Sequence, residues 1–480
     1  KSKPLQQVTT SSIEALRAFS LGIEARLDGK PVEAFALYEE AVKLDPDFSM
    51  AYLRIAIMHY VNNDNEQAQN FLRIADTKRK RLSTREALLL DASMALFKTP
   101  AEMMAKLKML ATMYPDEYRA YYNYSYFANK DAQQYRAAAD FIGPALSVHN
   151  PDRGAAYHQL GVANLALSNY GAATDAFKQF ESLSPDSYRR DIADTYAAQR
   201  QFPQAYKVLA TQPASELSGL LLQYRMTDIS YPLDQGQWGK AVTSFNLLSS
   251  DINKTKLSLV KRTYEGMGLS MRSYSFDSKF LVDLRNYLLE QQALLKQANV
   301  LERRHLVFAI LASGWMAANA GDIPSAQSAA ISAGAFAQAD GFPANADMYL
   351  VLQAELDIAA GRAQAGIAKL EPRAGKGDEL YFLHAVLMRA YAADRSYEKA
   401  LGQSDWLVAN RGLAYAEFNS GYMWQPVNVV ESNLALLAST HYANKLGRIE
   451  LALKRRKEFN AAWPNGEQLT QVTRRTQELN

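Results

Sequence analysis

"ALRAFSLGIEARLDGKPVEAFALYEEAVKLDPDF" (residues 15–48) decides how the chain is read. Apolar residues recur three and four apart on both sides of LDGKP, which predicts two amphipathic helices joined by a tight turn at Gly29. Small Gly22 on the first helix and Ala34 on the second let the two backbones approach. Tyr38 and Ala41 fill the inner face. Pro46 ends the pair, because proline cannot continue a helix and restrains the residue before it.

The spacing returns along the chain. Ile55, Ala56, Ala68, Leu72 and Ala75 each lie 34 residues after Leu21, Gly22, Ala34, Tyr38 and Ala41, with Lys80 in place of the closing proline. "AAYHQLGVANLALSNYGAATDAFKQFESLSPDS" (155–187) puts Tyr157, Leu160, Gly161, Ala173, Phe177 and Pro185 in the same register. Fainter copies are anchored by Ala205 and Leu209, by Gly236, Ala241 and Phe245, by Gly321 and Ala326, by Gly361 and Leu370, by Ala400, and by Gly447, Ala452, Phe459 and Pro464.

A helix–turn–helix unit of about 34 residues resembles the tetratricopeptide repeat (TPR). The resemblance implies an all-α fold, a right-handed α-solenoid of TPR-like helical hairpins arranged in two superhelical halves. Each hairpin of such an array buries its face against its neighbours only. On this reading residues 1–11 are a linker and 12–250 an N-terminal array. Residues 251–300 form longer, irregular helices joining the halves, and 301–480 a C-terminal array closed by a polar capping helix.

The repeat settles how "EYRAYYNYSYFANKD" (117–131) folds. As a strand it would line up Tyr122, Tyr124 and Tyr126 as a stacking platform for single-stranded nucleic acid. In repeat register it is a helix, with Tyr121, Tyr124 and Ala128 facing the partner helix as Tyr157, Leu160 and Asn164 do. Tyr122 and Tyr126, four apart, share a different stripe. In the repeat family that stripe lines a concave, peptide-binding groove; the alternative is that both pack on the next repeat. The same alignment adds Phe19, Ile23 and Arg26, then Leu53, Ile57 and Tyr60, then Arg119, Asn129 and Lys130, and finally His158, Val162, Arg190 and Asp194. Arg26, Arg119, Lys130 and Arg190 are the expected anion contacts, and Tyr and Arg are the types that most often carry interface energy. Phe19 and Ile23 stand where the family's carboxylate clamp has Lys and Asn, so an acidic C-terminus is not the expected ligand.

Composition bounds the rest. Among 480 residues, 53 Lys+Arg face 50 Asp+Glu, a formal charge of +3. This lacks the clustered basic excess of a nucleic-acid binder, and no direct nucleic-acid binding is expected. The chain has no cysteine, which excludes disulfides, thiolate metal sites and a cysteine nucleophile. No stretch reaches the ~18 apolar residues of a spanning helix. His59, His149, His158, His305, His384 and His441 are dispersed without metal-ligand spacing. "EPRAGKGDEL" (371–380) and "DQGQWGKAV" (234–242) contain GK but lack the spacing and strand of a phosphate loop, and read as turns. The basic runs "TKRKRLSTR" (77–85) and "LKRRKEF" (453–459) read as helix-end cations. The expectation is a non-catalytic chain with no cofactor and no metal.

The start, "KSKPLQQVTTSS", has neither a Met nor signal-peptide architecture, so a longer protein is expected. The opening 45 or so residues, and "NRGLAYAEFNSGYMWQPVNVVESNLALLASTHYANKLG" (410–447), resemble TPR regions of bacterial membrane-anchored signalling proteins. Their N-terminal parts are winged-helix regulators, Ser/Thr kinases or nucleotide cyclases. The resemblance implies a sensory or partner-binding region on the periplasmic side, with an anchor upstream and a protein or peptide ligand. The alternative is a free-standing periplasmic or cytoplasmic assembly factor.

Overall fold

In hairpin after hairpin the turn closes through one hydrogen bond, donated by an amide to the carbonyl five residues back. Lys30 N–H reaches Ala25, Asn169 reaches Asn164, Asp322 reaches Ala317, Arg362 reaches Asp357 and Arg448 reaches Ala443, each at 2.8 Å. The residue before each donor that closes these turns (Gly29, Ser168, Gly321, Gly361, Gly447) has positive φ. This is the Schellman closure, in which a left-handed residue satisfies the last carbonyls of a helix. It is the sequence repeat expressed as backbone geometry.

The computed structural model describes residues 10–62, 64–185, 189–211, 225–253, 258–275 and 277–464. The expected capping helix over 465–480 and most of the expected linker lie outside them. Among the described residues the fold is all-α, an α-solenoid of TPR-like hairpins. The chain divides into two compact units: one holds the residues up to Phe127 with Phe141–Ala156, the other Ala128–Asp140 and the residues from Tyr157 on. The sequence reading placed the change of organisation at 251–300; the contacts divide the chain earlier.

In the first unit, helices α1 (Ile13–Leu27), α2 (Pro31–Leu44), α3 (Ser49–Val61), α4 (Asn65–Thr77), α5 (Thr84–Met94) and α6 (Pro100–Met113) pack in chain order, followed by most of α7 (Tyr118–Lys130). The starts of α1, α4, α5 and α6 are capped by side chains. Ser12 Oγ accepts the Ala15 N–H at 3.1 Å, and Ser83 with Glu86 forms a reciprocal box on α5, satisfying amides that a helix start leaves orphaned. Gly22 is the close contact of the first hairpin: a Cβ there would lie 2.7 Å from the Tyr38 ring.

The second unit begins with the same device. After α8 (Tyr135–Phe141), a Cβ at Gly161 of α9 (Arg153–Ala166) would lie 2.4 Å from Phe177 of α10 (Tyr170–Leu183). Further hairpins follow, including α11 (Arg190–Ala198) with α12 (Phe202–Ala210). The helix Gln425–Lys445 then departs from solenoid rules. It is buried along most of its length and packs on Thr227–Asp234, Tyr397–Ala409, Arg411–Ala416 and Ile449–Ala462. In an ideal array a repeat touches only its neighbours; here the end of the unit folds back onto its beginning. Trp315, Phe382 and Trp424 meet edge-on at its centre, with centroids 4.8–5.6 Å apart, the packing that aromatic quadrupoles favour.

Candidate functional site

The strand platform is excluded, since Tyr118–Lys130 is helical. Tyr121 and Tyr124 turn to Phe141, with ring centroids at 5.0 and 4.3 Å, on the packing side that the repeat assigned. Tyr122 and Tyr126 occupy another stripe. They are half-buried and stack on one another, centroids 6.2 Å apart at 26°. Tyr126 and half-buried Tyr60 also pack against a small cluster of Ala92, Leu96, Leu107 and Phe127. Burial holds the Tyr122 hydroxyl well above the usual phenol range, with Tyr126 and Asp152 adding to the effect and Arg26 opposing it.

Arg26, Arg54 and Arg119 of the first unit are electrostatic neighbours, and Arg26 is the one that acts on Tyr122. Arg26, on α1, is paired with Asp152 at 2.9 Å. Arg54, on α3, and Arg119, on α7, form no hydrogen bond or ion pair among the described residues, and the Arg54 Nε is buried without a partner. Burial, then the charges of Arg119 and Arg26, pull Arg54 down to about 9, opposed by Tyr38 and Glu117. It therefore remains a cation at neutral pH. Glu117 is drawn to Arg85 at 3.5 Å. Arg54 was missed by the sequence reading, which took Leu53, Ile57 and Tyr60 as the inner stripe of α3. The available signal was a charge set between two fully buried apolar neighbours, Leu53 and Ile55.

Phe19 does not face an open surface. It is 8% exposed and packs on Tyr38 and Phe48, with ring centroids at 5.7 and 4.8 Å.

The remaining expected groove residues belong to the second unit, where the chain itself occupies their surroundings. Asn129 is buried and donates to the Gln159 carbonyl at 3.0 Å. Lys130 sits over the Phe418 ring at 4.9 Å. His158 bonds Asp191 at 2.7 Å and leans on Phe180. Arg190 is 5% exposed, paired with Asp194 at 3.2 Å, bonded to Gln425 at 3.0 Å and stacked over Tyr422 at 3.6 Å. Expected as a ligand contact, Arg190 is instead an internal tie between α11 and the segment leading into Gln425–Lys445.

That tie belongs to a buried polar network centred on Asp234, which is fully enclosed. Its carboxylate accepts from Arg411 at 2.5 Å, Asn433 at 2.8 Å and the Tyr415 hydroxyl, with Arg200 at 3.4 Å. The Arg411 guanidinium also reaches the Ala198 carbonyl and Ser432. Each charge is paired and hydrogen-bonded, as burial requires. The network is a structural clamp.

Other sequence features find internal partners. The amides of Gly375 and Gly377 bond the Glu379 carboxylate, so the AGKG turn is closed by its own anion. In the first basic run, Arg79 pairs with Asp76 and Asp91 at 2.8 Å, Lys78 with Asp47 and Arg81 with Asp45. In the second, Arg455 pairs with Asp405 and Glu458. No group of three or more metal-ligating side chains occurs among the described residues. No described helix is long and apolar enough to cross a membrane. A cleft of ≈ 440 Å³ in the second unit is lined by Phe245, Tyr264, Glu265, Arg272, Tyr287 and Glu290 among others. Its tyrosine hydroxyls bond backbone carbonyls, and its arginine is held by Asp277 and Asp283.

No protein-family model matches the sequence, and no curated protein matches it. Among solved structures the chain is similar to a monomeric mutant of IFIT1 with Gppp-AAAA, at 12% identity and TM-score 0.33, over 95% of this chain and 91% of that one. It is also similar to Naa15/Naa10 bound to HypK-THB, at 12% identity and TM-score 0.25, over 97% of this chain and 90% of that one. At this distance neither likeness bears on what the chain binds.

Proposed function

We propose that the chain is a non-catalytic protein- or peptide-binding scaffold whose first unit makes the contact, through the face carrying Tyr122, Tyr126, Arg54 and Arg119. One observation carries the reading. A stacked, half-exposed tyrosine pair shares the first unit with Arg54 and Arg119, which form no ion pair among the described residues; Arg119 lies three residues before Tyr122 on α7, and Arg26 acts on both Tyr122 and Arg54. Aromatic area with adjacent unpaired arginine is the composition of interface hot spots, and an internal core would have paired those charges. The resemblance of the chain's two ends to TPR regions of bacterial signalling proteins supports a sensory or partner-binding role in such a protein. The alternative is a free-standing assembly factor, distinguished by whether a spanning helix and an output domain are encoded upstream of Lys1.

A photo-crosslinking amino acid at Tyr122, irradiated in the native host, tests the reading. It should trap a protein partner, whereas the same probe at Val32, 84% exposed on α2, should not. Equal trapping at both positions, or none at Tyr122, contradicts it.

A further inference from the structure

The helices Trp238–Ile252, Ser258–Arg272 and Phe280–Leu295 follow one another in the second unit and line its cleft of ≈ 440 Å³. Gly268 admits Phe245 to the middle helix, since a Cβ there would lie 2.2 Å from the ring. The half-buried Phe245 ring stacks on Tyr264, centroids 4.8 Å apart at 4°, and buried Leu269 and Tyr287 extend this apolar wall. Most polar groups of the cleft are spent. The Tyr264 and Tyr287 hydroxyls donate to backbone carbonyls, and Lys261 Nζ donates to the Asn253 carbonyl at 3.2 Å. Arg272 is held by Asp277 and Asp283. Glu265 and Glu290 line the same cleft and form neither a hydrogen bond nor an ion pair among the described residues.

The helix register sets these two carboxylates across from each other. Arg272 meets Asp283 at 2.8 Å near the turn between the second and third helices, and the Tyr287 hydroxyl reaches the Arg262 carbonyl at 3.0 Å farther along, so the two run antiparallel. Glu265 stands seven residues before Arg272 and Glu290 seven after Asp283, about two turns from the same contact on each helix. Like charges so placed repel. Burial, then the charge of Glu290, lifts the Glu265 carboxyl above its usual range, opposed by Arg262 and Lys261. The unmet charge is therefore negative, and an anion would find the arginine of the cleft already held by two carboxylates. A calcium ion takes about six to eight oxygen ligands, and no group of three metal-ligating side chains occurs among the described residues. An ammonium group can donate to both carboxylates, and an aromatic wall favours a cation with an apolar stem. The volume lies in the range of small-molecule sites, about 300–1,000 Å³. We infer that the cleft binds a small organic amine, its ammonium held between Glu265 and Glu290 and its apolar body against Phe245 and Leu269.

The test is calorimetric titration of the whole chain with phenethylamine at constant ionic strength. Phenethyl alcohol keeps the body without the charge, phenylacetate reverses the charge, and methylamine keeps the charge without the body. Calcium chloride and a lysine capped at both ends complete the series. Expected is saturable binding of phenethylamine, tighter than any of the others. Glu265→Gln and Glu290→Gln should each weaken it by about tenfold or more, the worth of a hydrogen bond to a charged group. Both glutamates are exposed, so the variants should keep the helical circular dichroism of the native chain; if one does not, the other decides. The site is overturned by no saturable binding of phenethylamine, by equal binding of the alcohol or of phenylacetate, by tighter binding of calcium, or by unchanged affinity in a folded glutamine variant. Methylamine binding as tightly overturns the role of the apolar wall. Capped lysine binding more tightly assigns the ammonium to a partner's side chain and overturns the free amine. None of these results bears on the face of the first unit, which the crosslinking at Tyr122 tests separately.

Discussion

Gly161 stands so close to Phe177 that a Cβ would come within 2.4 Å of the ring, and Gly22 stands in the same relation to Tyr38 in the first hairpin. Only hydrogen fits between each glycine backbone and the aromatic ring of its partner helix. Gly161→Leu should therefore wedge α9 from α10 and destabilise the second unit by ~1–3 kcal/mol or more, the range for overpacking a filled contact. Chemical denaturation reads this directly. A wild-type midpoint for the variant would mean that the helices do not meet there.

Asp234 gives a sharper contrast. Asp234→Ala leaves Arg411 buried with its carboxylate gone, and breaking a buried pair from one side costs about 3–5 kcal/mol. Removing Asp405, whose side chain is 44% exposed beside Arg455, should cost no more than about 1 kcal/mol. Comparable losses from the two variants would show that the Asp234 network is not the clamp described.

Glu417 makes stability depend on pH. Burial lifts it to about 8, with Asp347 and Glu379 adding to the shift and the Tyr381 amide and Asn428 opposing it. Between its unfolded value of 4.5 and 8 the folded chain holds a proton that the unfolded chain has lost. Its contribution is thus complete below 4.5 and lost as pH rises toward 8. Asp194 and Asp347, pushed up to about 6 mainly by burial, act with the same sign between 3.8 and 6. Glu417→Gln should flatten the upper part of the decline and raise stability at pH 8. The buried Asn428 Oδ1, which has no partner, can accept from the new amide if Asn428 turns over. Urea midpoints at pH 5 and 8 check this; an unchanged slope would assign the proton elsewhere.

The hairpins were legible in the sequence because their geometry is local. A glycine facing an aromatic residue of the next helix, and a left-handed turn residue between them, both fall within one repeat period. The packing side of α7 was legible for the same reason: Tyr121 and Tyr124 turn to Phe141, as the register of α9 implies. What periodicity could not show was the fold-back of the second unit. Asn433 meets Asp234 and Arg411 meets Ala198 across some two hundred positions of chain, and no short-range pattern encodes such a pairing. Phe19, Asn129 and Arg190, expected on an open stripe, are buried by neighbours that a one-repeat alignment does not contain. Arg54 escaped because it sits one position off that stripe, where its position beside two other arginines is visible only in three dimensions.

The claim that recognition runs through the first unit's tyrosine–arginine face is tested most directly by quantitative partner capture. The native chain and a Tyr122→Ala/Tyr126→Ala variant would be compared side by side in extract of the native host, with helical circular dichroism recorded on both. Proteins retained by the native chain should be lost from the variant while its helical signal is unchanged. Retention of the same proteins at the same level by a folded double variant would contradict the account.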